Sequence, residues 1–355
     1  MNNSWEKNVR TIEPYVPGEQ PQDSNVIKLN TNENPYPPAK EVTESIKGID
    51  GDMFRKYPDP LCSELTEALA EYHNLDKKNI FVGVGSDDVL GMSFLTFFNS
   101  DKPILFPDIT YSFYPVWSDL FNVPFETKAL DENFRIIPSD YYGENGGIVF
   151  PNPNAPTGIL MPKEEIIGIL EKNKDVVVIV DEAYIDFAPE GSSCIDLIDR
   201  YPNLLVTRTY SKSRTLAGMR IGYAVGSEKL ISYLNDVKFS YNSYTLTVAT
   251  IKMGAASVKS DDYFKKVIAS IIETREYFSE EIKKLGFIVL PSSANFVFAS
   301  HPDIKASYIY EEAKKRNIYV RYFNSPRIDN YLRITIGMKE DMDSLIEFFK
   351  ELTSK

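Results

Sequence analysis

DVVVIVDEAY, residues 175–184, is a run of mostly β-branched apolar residues that ends in two acids and a tyrosine. Because apolar and polar residues do not alternate in it, the run indicates a strand covered on both faces, as in a mostly parallel sheet. Ligands of open α/β sheets bind at the carboxyl ends of the strands. The stretch therefore predicts a buried strand that presents Asp181 at a ligand-binding edge.

The segments on both sides of this strand alternate between short apolar runs and helical patterns. The predicted strands are NIFVGV, KPILFP and GGIVFP upstream, and LLVTRTYSK and RIGYAVG downstream. After about Ser243, long amphipathic helices and short strands give an α+β pattern. We therefore predict an α/β fold with a large domain at 41–250, its mostly parallel sheet covered by helices, and a smaller α+β domain at 251–355. Residues 1–40, which are rich in Pro and Asn, predict an extended arm that forms part of the small domain.

Composition and charge argue against several classes of function. A net charge of −12 disfavours binding to nucleic acid or to an anionic membrane surface, since both require clustered cations. No apolar run approaches the length of a membrane span, so we expect a cytoplasmic protein. Cys62 and Cys194 are expected to be free thiols. Neither His73 nor His301 has a second ligand at a recognised spacing, so no metal site is predicted.

A second polar segment, TYSKSRTLAGMRIGY at residues 209–223, lies between two predicted strands. It places Thr209, Ser211, Lys212 and Arg220 in a short loop at the same predicted sheet edge as Asp181. Hydroxyl groups and cations together suit a phosphate, although a solvated basic turn has the same composition. Asp181 in turn suits a protonated ring nitrogen, although it is also compatible with a helix cap.

Two further turns fall at this edge of the sheet. PNPNAPTG, residues 151–158, supplies Asn154, whose amide can donate to an anionic oxygen. Gly85, Ser86 and Asp87 begin a helix directly after a strand and offer free backbone N–H groups to a phosphate. The segment lacks the full G-x-G-x-x-G spacing, so a nicotinamide dehydrogenase is not supported.

Together these segments offer four different groups to one ligand. A helix start and Arg220 suit a phosphate, Asp181 suits a ring nitrogen, Asn154 and Tyr184 suit a ring hydroxyl, and Lys212 suits an aldehyde. Pyridoxal 5′-phosphate (PLP) requires all four.

The motifs DEAY, SK followed by LAGMRIGY, and P-N-x-P-T-G, in this chain order, resemble those of the fold-type I PLP-dependent aminotransferases. The stretches LNTNENPYPP, RKYPDP and YLRITIG are similar to histidinol-phosphate aminotransferases within that family. The resemblance runs from about residue 5 to the C-terminus.

The resemblance implies a role for each candidate site residue. Lys212 would form the Schiff base, Asp181 would hold the pyridine nitrogen, and Tyr184 would bond the phenolic oxygen. The phosphate would lie against Ser86, Asp87, Thr209, Ser211 and Arg220, with Tyr57 reaching in from the other subunit, while Tyr111 would stack on the ring. Arg333 and Arg321 would grip the anionic end of the substrate, beneath an arm that carries Tyr15 and Asn32. One departure is Ala155, where many relatives have asparagine.

The activity implied is transamination of histidinol phosphate with 2-oxoglutarate in histidine biosynthesis, by a homodimer with shared active sites. The partners are then a small amino donor and a 2-oxo acid. Aromatic amino acid transamination and a decarboxylase similar to those of phosphothreonine remain alternatives. A PLP-binding module without turnover is a rival from another class, but it would have no need of the acid and the arginines.

Overall fold

The computed structural model describes residues 5–21 and 25–354. Its strands are β1 (Ile27–Leu29), β2 (Ile80–Gly83), β3 (Ile104–Pro107), β4 (Phe125–Lys128), β5 (Gly147–Pro151), β6 (Val178–Asp181), β7 (Leu204–Thr209), β8 (Gly222–Gly226), β9 (Ile288–Val289), β10 (Phe296–Ser300), β11 (Ile318–Tyr322) and β12 (Leu332–Thr335). Its α-helices are α1 (Lys40–Glu44), α2 (Gly51–Phe54), α3 (Ser63–His73), α4 (Gly85–Phe97), α5 (Phe113–Phe121), α6 (Lys163–Lys172), α7 (Glu228–Tyr241), α8 (Val248–Lys259), α9 (Asp261–Lys284), α10 (Ala306–Lys314) and α11 (Lys339–Thr353). Residues 1–4 and 22–24 of the predicted arm, and residue 355 of the predicted small domain, lie outside the described residues.

The larger sheet has the strand order β2-β8-β7-β6-β5-β3-β4. The strands from β7 to β4 in that order pair in parallel, whereas β8 runs antiparallel to both β7 and β2. The predicted α/β fold with a mostly parallel sheet is thus confirmed. The reversal at β8 has a simple cause, because residues 210–221 between β7 and β8 contain no α-helix that could carry the chain back across the sheet.

Both faces of the central strands are buried, as the apolar runs predicted. Phe150, Val180 and Val206 pack into the core on one face of the sheet, while Ile179 and Leu205 pack into the core on the other face. Since successive side chains of a strand point to opposite faces, continuous apolar sequence is what such a strand needs.

The edge strand β4 is missing from the sequence-based prediction. Three of its four residues, FETK, are polar and most are exposed, so the strand carries no continuous apolar signal. An edge strand can tolerate charged side chains, which also discourage pairing with another chain.

The smaller sheet has the order β1-β11-β12-β10-β9 and includes the strand from the N-terminal arm. β1 pairs in parallel with β11, with Ile27 opposite Ile318. Helices α9, α10 and α11 cover this sheet through buried residues such as Phe278, Ile309 and Phe349. The arm therefore contributes to the sheet of the C-terminal third, whereas the predicted boundaries at residues 40 and 250 stay predictions.

A close approach of backbones joins β8 to the start of α4. A Cβ atom added to Gly222 would lie 2.3 Å from the carbonyl carbon of Gly85, which is closer than any real contact. Glycine at position 222 thus allows the two backbones to touch. The contact brings the N-terminus of α4 to the edge of the sheet where β7 ends.

A buried ionic network ties β6 to β7. Nε of Arg208 donates to Glu182 at 3.0 Å and its Nη1 donates to Asp186 at 2.8 Å. The side chain of Glu182 is fully buried and also accepts from the backbone N–H of Cys194 at 2.6 Å. Asp186 accepts in addition from the hydroxyl of Ser213 at 2.5 Å. The network therefore reaches the loop that follows β7.

Both cysteines are free and buried, and burial raises the pKa of both thiols. In residues 5–21 and 25–354, no group of three His, Cys, Asp or Glu side chains is placed to hold a metal ion. None of the helices described above is both long and apolar enough to cross a membrane.

We expect Arg208→Met to lower the free energy of unfolding by about 3 to 5 kcal/mol, because it leaves the charge of Glu182 buried without its cation. Urea unfolding of the cofactor-free protein measures this change. Arg200→Met is the matched control, since the Arg200 side chain is 61% exposed and pairs with Glu171 on the surface. That control should change stability by less than about 1 kcal/mol. Equal effects of the two substitutions would contradict a stabilising role for the network.

Candidate active site

A cavity of about 350 Å³ lies at the carboxyl ends of β6 and β7, beside the start of α4. The structure brings many of the residues predicted for the cofactor together in its lining. They are Ser86, Asp87, Tyr111, Asp181, Tyr184, Thr209, Ser211, Lys212 and Arg220. The topology explains this grouping, since these residues come from strand ends, from the loops after them and from the first turn of helix α4.

Lys212 follows β7 and extends into the cavity. Its Nζ donates to the backbone oxygen of Thr31, on the arm, at 3.1 Å. Burial lowers the pKa of Lys212 to about 8, and the positive charge of Arg333 acts in the same direction. The amine is therefore neutral, and able to act as a nucleophile or a base, in a larger fraction of molecules near neutral pH than an ordinary lysine.

Asp181 is the last residue of β6 and is only 4% exposed. Its carboxylate accepts from the hydroxyl groups of Thr207, at 3.2 Å, and Tyr114, at 3.3 Å. Burial raises the pKa of Asp181 to about 7, although these two hydrogen bonds act in the opposite direction. A cation beside this carboxyl group would offset the cost of burial, and a protonated ring nitrogen is such a cation.

A polar cup lies between the start of α4 and the loop after β7. Nη1 of Arg220 donates to the hydroxyl of Ser211 at 3.4 Å, and the hydroxyl of Thr209 donates to Ser211 at 3.0 Å. Nη2 of Arg220 donates to Asp87 at 3.3 Å. Gly85 has a positive φ of 84°, and an added Cβ there would lie 2.6 Å from Arg220. Glycine at position 85 thus leaves room for the guanidinium group above the helix start, as a phosphate site requires.

Asp87 and Tyr111 are held together at one wall of the cavity. The Tyr111 hydroxyl donates to the Asp87 carboxylate at 2.6 Å. The Tyr111 ring also contacts the ring of Trp117 edge-on, with centroids 6.1 Å apart. Because its two ends are fixed in this way, the Tyr111 ring can serve as a rigid wall against which a planar ring packs.

Tyr184 also lines the cavity, and its hydroxyl accepts from Nδ2 of Asn32 at 2.9 Å. Burial raises the pKa of Tyr184, so the phenol keeps its proton and can donate it. The contact joins the DEAY segment to the arm.

Asn154 was predicted to bond a ring oxygen, but the structure does not bring its side chain to the cavity. Its Nδ2 donates to the backbone oxygen of Ile109 at 3.0 Å and to Thr157 at 3.1 Å, and its Oδ1 accepts from Thr110 at 3.1 Å. The amide holds the PNPNAPTG turn together from within. Ala155, the residue after it, lines the cavity instead.

A neighbouring cavity of about 160 Å³ shares Lys212 and Tyr184 with the first. The residues predicted for substrate binding all line it, and they are Tyr15, Asn32, Arg321 and Arg333. Nη2 of Arg333 donates to the backbone oxygen of Asn30 at 2.9 Å, while its buried Nε has no hydrogen-bond partner among the described residues. Burial lowers the pKa of Arg333 because it penalises the charge, so the site favours an incoming anion.

Tyr57, which was predicted to reach into the site of another subunit, lies outside both cavities of its own chain. It is 80% exposed and stacks on Tyr244 with ring centroids 4.5 Å apart. An aromatic side chain this exposed is available to a second protein surface.

The sequence analysis did not predict several residues that hold Asp181 and Lys212 in place. Tyr114 and Thr207 hold Asp181, and Thr31 holds Lys212 through a backbone oxygen. Thr207 lies two residues before the predicted site residue Thr209, on the same face of β7, so its position in the strand was a usable signal. Tyr114 lies in helix α5, and nothing in the sequence around it indicates a contact with Asp181. The backbone oxygen of Thr31 could not be predicted either, because every residue has such an oxygen.

The family model for aminotransferases of class I and II matches residues 24–349. Histidinol-phosphate aminotransferase of Clostridium beijerinckii is 50% identical over 355 residues, 100% of this chain and 98% of that protein. Histidinol-phosphate aminotransferase of Lactococcus lactis subsp. cremoris is 47% identical over 348 residues, 98% of this chain and 97% of that protein.

A solved structure has the same fold. It is histidinol-phosphate aminotransferase from Sinorhizobium meliloti in complex with pyridoxal 5′-phosphate, with a TM-score of 0.84 at 24% identity over 92% of this chain and 91% of that chain. The amine, the buried acid and the polar cup fit the same kind of cofactor. The chain therefore belongs to the aminotransferases of class I and II, which are enzymes dependent on pyridoxal 5′-phosphate.

Proposed function

We propose that this aminotransferase transfers the amino group of histidinol phosphate to 2-oxoglutarate, as a step of histidine biosynthesis. Its relatives in Clostridium beijerinckii and Lactococcus lactis carry that name and align with 100% and 98% of the chain. One observation supports the choice most directly. The cavity that contains Lys212 and Asp181 shares residues with the cavity that contains Arg333 and Arg321, so one small molecule can contact both sets.

When bound, PLP supplies an aldehyde that bonds to amines and a ring that accepts electrons from a bond broken at Cα. We propose that Lys212 holds the aldehyde carbon at rest and that Asp181 holds the proton on the ring nitrogen. Arg220 and Ser211 would hold the phosphate with the first N–H groups of α4. Tyr184 would donate to the phenolic oxygen, as the sequence predicted, but without the help of Asn154.

During turnover, Nζ of Lys212 would take the proton from Cα of the donor and return it on the other side of the transferred nitrogen. A general base works best when its pKa lies near the working pH. The pKa of Lys212 is lowered to about 8, which suits both removal and return of a proton.

The two arginines determine which end of the donor lies where. Arg321 in β11 lies directly opposite Arg333 in β12, so both side chains project from the same face of the smaller sheet. Arginine suits phosphate and carboxylate because its planar group donates two parallel hydrogen bonds. The same pair could therefore bind the phosphate of histidinol phosphate in one half-reaction and a carboxylate of glutamate in the other.

We further propose a homodimer in the cytoplasm. Four exposed aromatic side chains lie at or just after the ends of α2 and α7, and they are Phe54, Tyr57, Tyr241 and Tyr244. Burial of these rings in a subunit interface would bring Tyr57 to the cofactor phosphate of the partner.

Lys212→Ala should retain the fold and bind PLP, yet lose transamination by about 10² to 10⁴-fold, because the proton carrier is gone. Borohydride treatment followed by peptide mapping should attach the cofactor to Lys212 in the native protein and to no lysine in the variant. Lys252→Ala is the control, since Lys252 is 31% exposed and lies outside the cavities. Attachment to another lysine in the native enzyme would refute the assignment.

Asp181→Asn should still bind PLP but lower kcat by about 10²-fold or more, because a neutral amide cannot hold the charge on the ring nitrogen. Single-turnover rates with glutamate test this expectation. Asp196→Asn, at a side chain that is 66% exposed, provides the comparison. A kcat close to that of the native enzyme would place Asp181 outside the reaction.

Arg333→Ala should lower kcat/KM for histidinol phosphate by about ten- to a hundredfold, since a charge-assisted contact is lost. Histidinol, which has no phosphate, should be affected much less. Arg327→Ala is the matched control, because Arg327 pairs with Asp108 outside both cavities. Better rates with phenylalanine or tyrosine than with histidinol phosphate would favour the aromatic alternative, and release of carbon dioxide from phosphothreonine would favour the decarboxylase.

A further inference from the structure

Asn32 lies at the centre of a buried hydrogen-bonded chain that ends at Tyr184. Its backbone N–H donates to Oγ1 of Thr335 at 2.9 Å, and that hydroxyl donates to Oδ1 of Asn32 at 3.0 Å. Nδ2 of Asn32 then donates to the Tyr184 hydroxyl at 2.9 Å. Nδ2 of Asn295 donates to the backbone oxygen of Asn32 at 3.0 Å and fixes the turn. Asn32, Thr335 and Asn295 are each at most 2% exposed.

The direction of the bond to Tyr184 follows from the two bonds between Thr335 and Asn32. The Thr335 hydroxyl accepts from the backbone N–H of Asn32, which leaves its own hydrogen available, and it donates that hydrogen to Oδ1 of Asn32. An oxygen held by that hydrogen is the acceptor end of the amide, which leaves the NH₂ end for Tyr184. Tyr184 therefore accepts from Asn32, and its own hydrogen must point elsewhere.

The hydrogen of Tyr184 has no acceptor in the described part of the chain, and Tyr184 lines both cavities. Its donor capacity is thus available to a ligand. Ala155 lines the same two cavities, and its methyl group offers no donor.

We infer that Asn32 is a positioning residue that makes Tyr184 a hydrogen-bond donor to the phenolic oxygen of the cofactor. This inference rests on the proposed function. Asn32 does not touch the cofactor in this account and acts through Tyr184. Since Ala155 offers no donor, the hydrogen of Tyr184 is the one that Asn32 secures for the phenolic oxygen, and through it the arm and β12 influence the charge on the cofactor.

The consequence is measurable in the resting enzyme without substrate. A donor to the phenolic oxygen withdraws part of its negative charge, and the nitrogen that joins Lys212 to the cofactor then holds its proton less tightly. Loss of the donor should raise the pKa read from the visible absorbance of the holoenzyme. One charge-assisted hydrogen bond corresponds to a shift of about one to two pKa units.

Asn32→Asp tests the direction of the bond. The residue keeps its size, but its carboxylate can only accept, so the Tyr184 hydrogen should turn towards it and away from the cofactor. The absorbance pKa should rise by about one unit or more and approach the value for Tyr184→Phe. If Asn32→Asp leaves the pKa at the native value while Tyr184→Phe raises it, the inference fails.

Thr335 gives a second test that leaves Asn32 in place. Thr335→Val removes the hydroxyl that fixes the amide, so the amide can reverse and offer its oxygen to Tyr184, and the pKa should rise. Thr335→Ser keeps the hydroxyl and should restore the native value. A merely structural role would give similar stability losses in both variants without the difference in pKa, and that result would overturn the inference.

A third test adds a hydrogen-bond donor to the cavity instead of removing one. Ala155→Asn places an amide in the cavity and should lower the absorbance pKa of the native enzyme and of the Asn32→Asp variant. A failure of the proposed function is distinguishable, because the native protein would then develop no visible chromophore with PLP. If the chromophore forms and titrates but does not respond to substitutions at Asn32 and Thr335, only the inference is lost.

Discussion

A carboxyl group at the end of a strand that is covered on both faces loses most of its hydration. Much of the site depends on how that cost of burial is offset. Asp181 is the last residue of this strand and Glu182 directly follows it, yet the two side chains have different partners. Glu182 meets Arg208 inside the protein. Asp181 meets hydroxyl groups but, among the described residues, no cation within ion-pair distance. One acid thus stabilises the fold, and the other leaves its need for a positive charge to a ligand.

Much of the fold and part of the site could be predicted from local sequence. The continuous apolar runs of β5, β6 and β7 indicated buried parallel strands, and the residues after such strands had to meet at one edge. Features that depend on long-range geometry could not be predicted in this way. The reversal at β8 follows from the absence of a helix in a loop rather than from its apolar residues, and β4 is held by its neighbour rather than by its own composition.

The site shows the same division. Lys212 and Asp181 were predicted because chain order places them at strand ends. Asn154 was assigned to the cofactor because its residue type suits the role, but backbone dihedral angles decide which of two adjacent side chains in a turn faces a cavity. In the structure Ala155 lines the cavity, whereas the amide of Asn154 donates to Ile109 and Thr157. Net charge gave no guidance either, since a protein with a charge of −12 concentrates arginines where anions bind.

The contacts of the arm have a consequence for local unfolding. Nδ2 of Asn34 donates to the backbone oxygens of Lys212 and Ser213 at 2.9 and 3.2 Å, and Thr31 accepts from Lys212 itself. Segments joined by such bonds open as one cooperative unit rather than separately. Detachment of residues 31–34 would remove three hydrogen bonds from the loop that carries Lys212 and leave that loop held by contacts such as the one between Ser213 and Asp186. The stability of a few arm residues therefore contributes to how firmly the amine of Lys212 is held.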